Sequence, residues 1–245
     1  YVNWDPVDQT VLANEQVIDG KGWRSGATIE KKEIEQWYIR ITKYAEELLT
    51  EIDQLDNWPE RVKNMQRQWI GKNNGTIITF ELKSNQETIG KLDVFTTRPD
   101  TLFGVTYVTF APEHQKVLEI TTDEQRGFVE DYIEQTAKMK EVDRLSTAKE
   151  KTGVFTGAYA INPVNGEKIP VWISDYVLVT YGTGVVMGVP GHDERDFAFA
   201  EAFNLPCKKV IQEQNAEFSS TLESAYTEPG IVLNSGEYDG MNSLE

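Results

Sequence analysis

The sequence predicts a mixed α/β fold in which strands dominate, a β-barrel core with helices at its periphery. Three observations carry that prediction. From Gly75 onward, short β-rich runs recur at close intervals. Turn-forming residues separate them. Stretches with helical periodicity, by contrast, are few.

Residues 1 to about 32 are loop-rich, with turn signals at Asp5-Pro6, Asp19-Gly20 and Ser25-Gly26. Across residues 33–53, Ile34, Trp37, Tyr38, Ile41, Ala45, Leu48 and Ile52 share one helical face, which predicts a helix. Pro59 suits the first turn of a second helix, carrying Val62, Met65 and Trp69 and stopping at Gly71. Residues 76–82 and 91–96 then read as strands around the turn Ser84-Asn85-Gln86-Glu87, followed by a strand over 105–110. Asp123 caps a helix to about residue 140, with Phe128, Val129, Tyr132, Ile133 and Ala137 facing inward. A hairpin over 156–161 and 168–173 turns at Asn162-Pro163-Val164-Asn165-Gly166. Strands over 177–179 and 185–189, a helix over about 193–204, and late strands over 207–211 and 230–233 complete the set.

Composition narrows the function classes. With 39% hydrophobic residues and 10 Phe, 10 Tyr and 6 Trp, the chain can build a core, so disorder is excluded. No stretch approaches the roughly 20 apolar residues of a membrane helix. The N-terminus has no signal-peptide pattern and no initiator methionine, and the sequence reads as a piece of a longer chain. The single cysteine, Cys207, fits a reducing cytosol and reads as a small apolar residue entering a strand. Two histidines, His114 and His192, are too few for a histidine-rich metal site. A net charge of −16 argues against non-specific nucleic-acid binding by this segment alone.

Two blocks carry the chemistry. Thr96-Thr97-Arg98-Pro99-Asp100-Thr101 places hydroxyls, a guanidinium and a carboxylate at a strand end. Strand propensity and local backbone bonding explain one threonine, but not three around an arginine and an aspartate. The second block runs Gly182-Thr183-Gly184 into Val189-Pro190-Gly191-His192-Asp193-Glu194-Arg195-Asp196. It matches neither standard phosphate-loop pattern, and its glycines alone describe a turn between strands. Asp193 and Asp196 lie three apart at an exposed helix start, where one caps the helix. The exposed amides there favour anions, so Asp196 is free to grip an ammonium. His192, beside a cap, reads as a structural donor, and His114 as an exposed turn residue. Together the blocks predict a pocket for an amine-bearing ligand attached to something phosphorylated.

Asp8-Gln9-Thr10-Val11-Leu12-Ala13-Asn14-Glu15-Gln16-Val17, Met65-Gln66-Arg67-Gln68-Trp69-Ile70-Gly71, the Thr96–Thr101 block and the run from Gly182 to Ala200 resemble bacterial-type leucyl-tRNA synthetases. The resemblance covers nearly the whole chain and identifies the inserted editing domain, of the type shared by the valine, isoleucine and leucine enzymes. It implies a linker and helical hairpin beside the class I catalytic core over 1–70, the editing domain over 71–228 and a return segment over 229–245.

The implied activity is hydrolysis of tRNA(Leu) mischarged with isoleucine, valine, methionine or norvaline. By motif position, Asp196 holds the α-ammonium and Thr101 blocks leucine's branched side chain. Thr96 and Thr97 lie at the ester, and Arg98 meets the terminal adenosine or its phosphate. Tyr181, Met187 and Val189 line the pocket, with Asp193 in support. Editing needs no cofactor on this reading; ATP and magnesium belong to the synthetic core, outside this sequence. The partners are the tRNA(Leu) 3′ end and the rest of the synthetase, with no membrane, in the cytoplasm. Some relatives carry a zinc cluster where this chain has Asp5, Gly22 and Ser25, so no zinc is expected. Two other functions remain open: a module that binds the tRNA 3′ end without hydrolysis, and a small acidic protein that binds nucleotides or amino acids.

Overall fold

The computed structural model describes residues 2–72, 74–84, 87–137, 139, 144, 150–214 and 222–245. Two compact units divide the chain, Tyr1–Asn73 and Asn74–Glu245.

The first unit contains strands β1 (Val2–Asp5), β2 (Thr10–Leu12), β3 (Val17–Ile18), β4 (Lys21–Gly22) and β5 (Glu30–Lys32). β1 lies between β2 and β5, antiparallel to both, and β3 pairs with β4. The positions that resemblance associates with zinc do meet here, around a carboxylate. Buried Asp5 accepts the amides of Val7 and Asp8, each at 2.9 Å, and the Ser25 hydroxyl. A Cβ on Gly22 would lie 2.3 Å from Asp5 Oδ2, so only glycine lets the chain pass. The Ser25 bond first, then the Asp8 amide, hold the Asp5 carboxyl below its usual range.

Helices α1 (Ala45–Glu51) and α2 (Glu60–Ile70) follow. The helix expected from residue 33 begins at Ala45, with residues 33–40 outside regular structure. Trp37, Tyr38 and Ile41 of its stripe stand exposed, while Ile52 at its far end is buried. Periodicity alone does not offset helix nucleation when the apolar face stays in water. α2 stops at Gly71, whose φ of 54° ends it as expected. Met65 and Trp69 are exposed, however, and Lys63 is the buried residue.

The second unit is built on β6 (Thr76–Ser84), β7 (Glu87–Thr96), β8 (Tyr107–Phe110), helices α3 (Val117–Ile120) and α4 (Asp123–Ala137), β9 (Gly153–Ile161), β10 (Lys168–Ser174) and β11 (Val185–Gly188). The sheet order is β11-β8-β10-β9-β6-β7, antiparallel except for β10 with β8. The outermost strands β7 and β11 also pack against each other, curling the sheet into a half-barrel. This is the expected architecture, mixed α/β with strands dominant and helices at the rim.

Alternation makes the core. Phe80 and Leu82 of β6, Leu92 and Val94 of β7, Val108 and Phe110 of β8, and Val171 and Ile173 of β10 turn into one cluster. Each such side chain contributes about 1.5–3 kcal/mol when fully buried. α4 adds Val129 and Tyr132, while Phe128, expected inward, is exposed. The buried set 129, 132 and 136 keeps helical spacing on a stripe rotated from the one expected. The helix ends at Ala137, and residues 138 and 140 lie outside the described residues, as do 85 and 86 of the expected β6–β7 turn.

The opposite face of β8 and β10 carries a second, aromatic cluster. Tyr107, Trp172 and Tyr176 pack on Phe199 of α5 (Glu194–Ala202) and on Phe203. Tyr107 and Phe199 stack at 5.0 Å between ring centroids. This layer fixes where the first turn of α5 lies relative to the end of β11. Residues 177–179, expected as a strand, form none, and the expected strand from Cys207 shrinks to β12 (Ile211–Gln212), paired with β13 (Ile231–Val232). Cys207 itself is exposed in a segment without regular structure.

Candidate active site

A cavity of about 360 Å³ opens where the end of β7, the end of β11 and the start of α5 converge. Every residue to which the resemblance gives a role lines it: Thr96, Thr97, Arg98, Thr101, Tyr181, Met187, Val189, Asp193 and Asp196.

The threonine block is a locked turn. The Thr96 hydroxyl accepts the Arg98 amide at 3.0 Å, and the Thr101 hydroxyl donates to the Arg98 carbonyl at 2.8 Å. Pro99 opens a 3₁₀ segment, Pro99–Gly104, that turns Thr101 inward, where it is 2% exposed. Thr97 remains exposed at the mouth. Arg98 is engaged already. Its Nε and Nη2 reach the Asp100 carboxylate at 2.9–3.1 Å, and Nη1 donates to the Thr227 carbonyl at 3.1 Å.

The glycine block forms a turn and not a phosphate cradle. Gly182 and Gly184 adopt φ of 57° and 73°, and the Gly184 amide returns to the Tyr181 carbonyl at 2.9 Å. That turn leaves Tyr181 at the mouth, edge-on to Phe95. Met187 and Val189 are buried in the wall.

Asp193 caps α5, accepting the amides of Arg195 at 2.8 Å and Asp196 at 3.2 Å. Its carboxylate also takes the Arg195 guanidinium. Burial pushes the Asp193 carboxyl up, but the Arg195 bonds and the cap amides outweigh it and leave it below the usual range.

Asp196 departs from expectation. Far from an exposed helix-start carboxylate, it is 6% exposed. Oδ2 accepts the Val189 amide at 2.8 Å, while the Tyr176 and Tyr107 hydroxyls reach Oδ1 at 2.9 and 3.2 Å. Burial first, then the negative Asp193 nearby, push its carboxyl up to about 7, against the pull of the Val189 and Tyr176 bonds. A desolvated carboxylate at a cavity wall is poised for a cation, which would lower the cost of ionising it.

His192 is structural, as its place beside the cap suggested. Nδ1 lies 2.8 Å from the Tyr226 carbonyl, which can only accept, so Nδ1 carries the proton. Nε2 then accepts the amides of Val210 and Ile211 at 2.9 and 3.2 Å, and no lone pair remains for a general base. Burial holds the ring below its usual pKa and so neutral. His114, expected to be exposed, is half-buried, edge-on to Phe110, with Nδ1 accepting the Lys116 amide.

Sequence reasoning missed Tyr107 and Tyr176. Tyr107 lies inside the strand expected over 105–110, and Tyr176 immediately precedes the one expected over 177–179. Only the period of β8, with Val108 and Phe110 in one core and Tyr107 on the other face, marked it as different. No group of three or more His, Cys, Asp or Glu able to hold a metal ion occurs among the described residues.

Comparison with known proteins identifies the family. The family model of the leucyl-tRNA synthetase editing domain matches residues 67–245. Leucine–tRNA ligases of Crocosphaera subtropica and Thermosynechococcus vestitus are 55% and 54% identical over 100% and 99% of the chain, which spans 28% of each relative. A crystal structure of an Agrobacterium radiobacter leucyl-tRNA synthetase in a ternary complex with tRNA and LeuAMS aligns at a TM-score of 0.60 and 42% identity. That alignment covers 89% of this chain and 26% of the synthetase. With a family match over most of its length and a fold shared at high identity, the chain belongs to the leucyl-tRNA synthetase editing-domain family.

Proposed function

We propose that this segment hydrolyses the aminoacyl ester of tRNA(Leu) mischarged with isoleucine, valine, methionine or norvaline, as part of a cytoplasmic leucine–tRNA ligase. The observation that carries the reading is Asp196, a buried carboxylate raised to about 7 at the wall of a largely apolar cavity. An α-ammonium placed there supplies the missing counter-charge and orients the ester towards the threonine turn. Met187 and Val189 take the side chain, and Thr101 obstructs the branch of leucine. Tyr181 at the mouth and Arg98 beside it suit a nucleoside and its phosphate.

A second site of this kind answers a physical limit. One methylene in an apolar pocket is worth only about 1–3 kcal/mol, too little for faithful selection among leucine and its analogues. The aminoacyl ester is already activated, so holding it beside a water and a neighbouring ribose hydroxyl suffices without a side-chain nucleophile. This step uses no cofactor from the segment. ATP and magnesium serve the synthetic reaction elsewhere in the enzyme. The partners are the tRNA 3′ end and the remainder of the synthetase. Among the described residues no helix is long and apolar enough to cross a membrane.

The test is deacylation of isoleucyl-tRNA(Leu) by the full-length enzyme. Ester loss faster than in buffer, abolished by Asp196→Ala, is expected. Loss at the uncatalysed rate, with the tRNA still bound, would leave only a non-hydrolytic binding module.

A further inference from the structure

We infer that Tyr107 is a positioning residue for the ammonium site, acting through Asp196 together with Tyr176. The inference rests on the ammonium role proposed for Asp196. Tyr107 is fully buried and is not part of the cavity wall, so its own atoms do not meet a substrate. Its hydroxyl lies 2.8 Å from that of Tyr176 and 3.2 Å from Asp196 Oδ1, and Tyr176 donates to the same oxygen at 2.9 Å.

Each phenol has one proton. Either both hydroxyls donate to Oδ1, or one phenol donates to the other, which donates to Oδ1. In every arrangement two phenol oxygens crowd Oδ1 and close it to a third partner. Among the described residues Oδ2 has one bond, from the Val189 amide, which leaves it a lone pair. The pair of tyrosines therefore selects which carboxylate oxygen receives the ammonium and fixes its direction.

The positioning is rigid because the Tyr107 ring is clamped. It stacks on Phe199 on one side, and a Cβ on Gly188 would come within 2.2 Å of its Cζ. A glycine at 188 is thus required by the ring. Burial and the negative Asp196 hold both phenols protonated, far above their ordinary pKa, so they remain donors at any working pH.

The test separates this role from mere packing. In the full-length enzyme, Tyr107→Phe keeps the ring and removes the hydroxyl. Deacylation is measured on isoleucyl-tRNA(Leu) and on its α-hydroxy counterpart, made by nitrous acid deamination. Loss of a bond to an ionised group predicts a fall of about tenfold on the amino ester and no more than about twofold on the hydroxy ester. The Tyr107→Phe, Tyr176→Phe double variant should lose no less, with the same dependence on the amine. Equal loss on both esters, or none on either, overturns the inference while the Asp196 control still discriminates between them. If Asp196→Asn itself fails to discriminate, the ammonium reading fails first and this inference with it.

Discussion

The Val189 amide donates to Asp196 Oδ2 at 2.8 Å, tying the end of β11 to the first turn of α5. That bond anchors a carboxylate in a place where its charge is costly. The two segments that bracket it, Met187–Val189 and Asp193–Asp196, contribute both the apolar wall and the acidic end of one cavity. Fold and site therefore depend on the same junction.

The Asp196 carboxyl, raised to about 7, makes ionisation destabilising in the free enzyme. Because the folded pKa exceeds the unfolded one, the stabilising contribution of the protonated form is complete below about pH 4 and lost as pH rises through 7. At saturation the difference is on the order of 4 kcal/mol. Asp196→Asn, which cannot ionise, should gain thermal stability over the parent as pH rises from 5 to 8, and its deacylation rate should fall roughly a hundredfold or more. Melting curves across that range check the first outcome; a variant less stable than the parent at pH 8 contradicts it.

Thr101 presents a sharper division between its two branches. Its hydroxyl is occupied by the Arg98 carbonyl, so the rotamer is held, and that carbonyl also receives the Thr101 amide at 3.2 Å. Thr101→Ala should cost about 1 kcal/mol of stability. It should also open enough room for leucyl-tRNA(Leu) to be hydrolysed. Thr101→Val keeps the volume and should still spare leucine. Leucyl-tRNA(Leu) surviving Thr101→Ala unchanged would remove the selectivity role.

Much of this was legible in the residues, and the gaps have physical causes. The strand-rich half was readable because alternation reports a buried face directly, as in Phe80, Leu82, Leu92 and Val94. The helix expected from residue 33 was not, because Trp37, Tyr38 and Ile41 are apolar yet exposed, and periodicity cannot tell a stripe that is buried from one that is not. In the site, the threonine and aspartate blocks announced themselves as dense polar clusters. The burial of Asp196 was hidden, since it depends on Tyr107 and Tyr176, 89 and 20 residues distant in the chain.

Arg98 and Asp100 act as a unit. Asp100 takes the guanidinium through three contacts, so Asp100 sets where Arg98 points at the cavity mouth. Arg98→Ala should weaken kcat/KM for the mischarged tRNA roughly tenfold or more, mostly through KM. Asp100→Ala should reproduce most of that loss, and the double variant should be little worse than either. A double-mutant cycle measures the coupling; additive losses would mean the two residues serve separate purposes.

His192 should behave as a stability residue and not as a catalytic base. Its Nδ1 proton goes to the Tyr226 carbonyl and its Nε2 holds the Val210 and Ile211 amides, lacing three separate segments together. The folded pKa is depressed by burial, so its contribution is present above the unfolded value near 6.5 and lost as pH falls through the folded one. His192→Ala leaves two buried amides without an acceptor and should destabilise the fold by about 2–5 kcal/mol. At a temperature where that variant remains folded, deacylation should fall no more than about threefold, and its pH profile should keep the parent's shape. Nitrogen-15 shifts of the ring should report a neutral Nδ1–H tautomer throughout the neutral range. A loss of rate of a hundredfold or more in a folded variant would return the histidine to the chemistry.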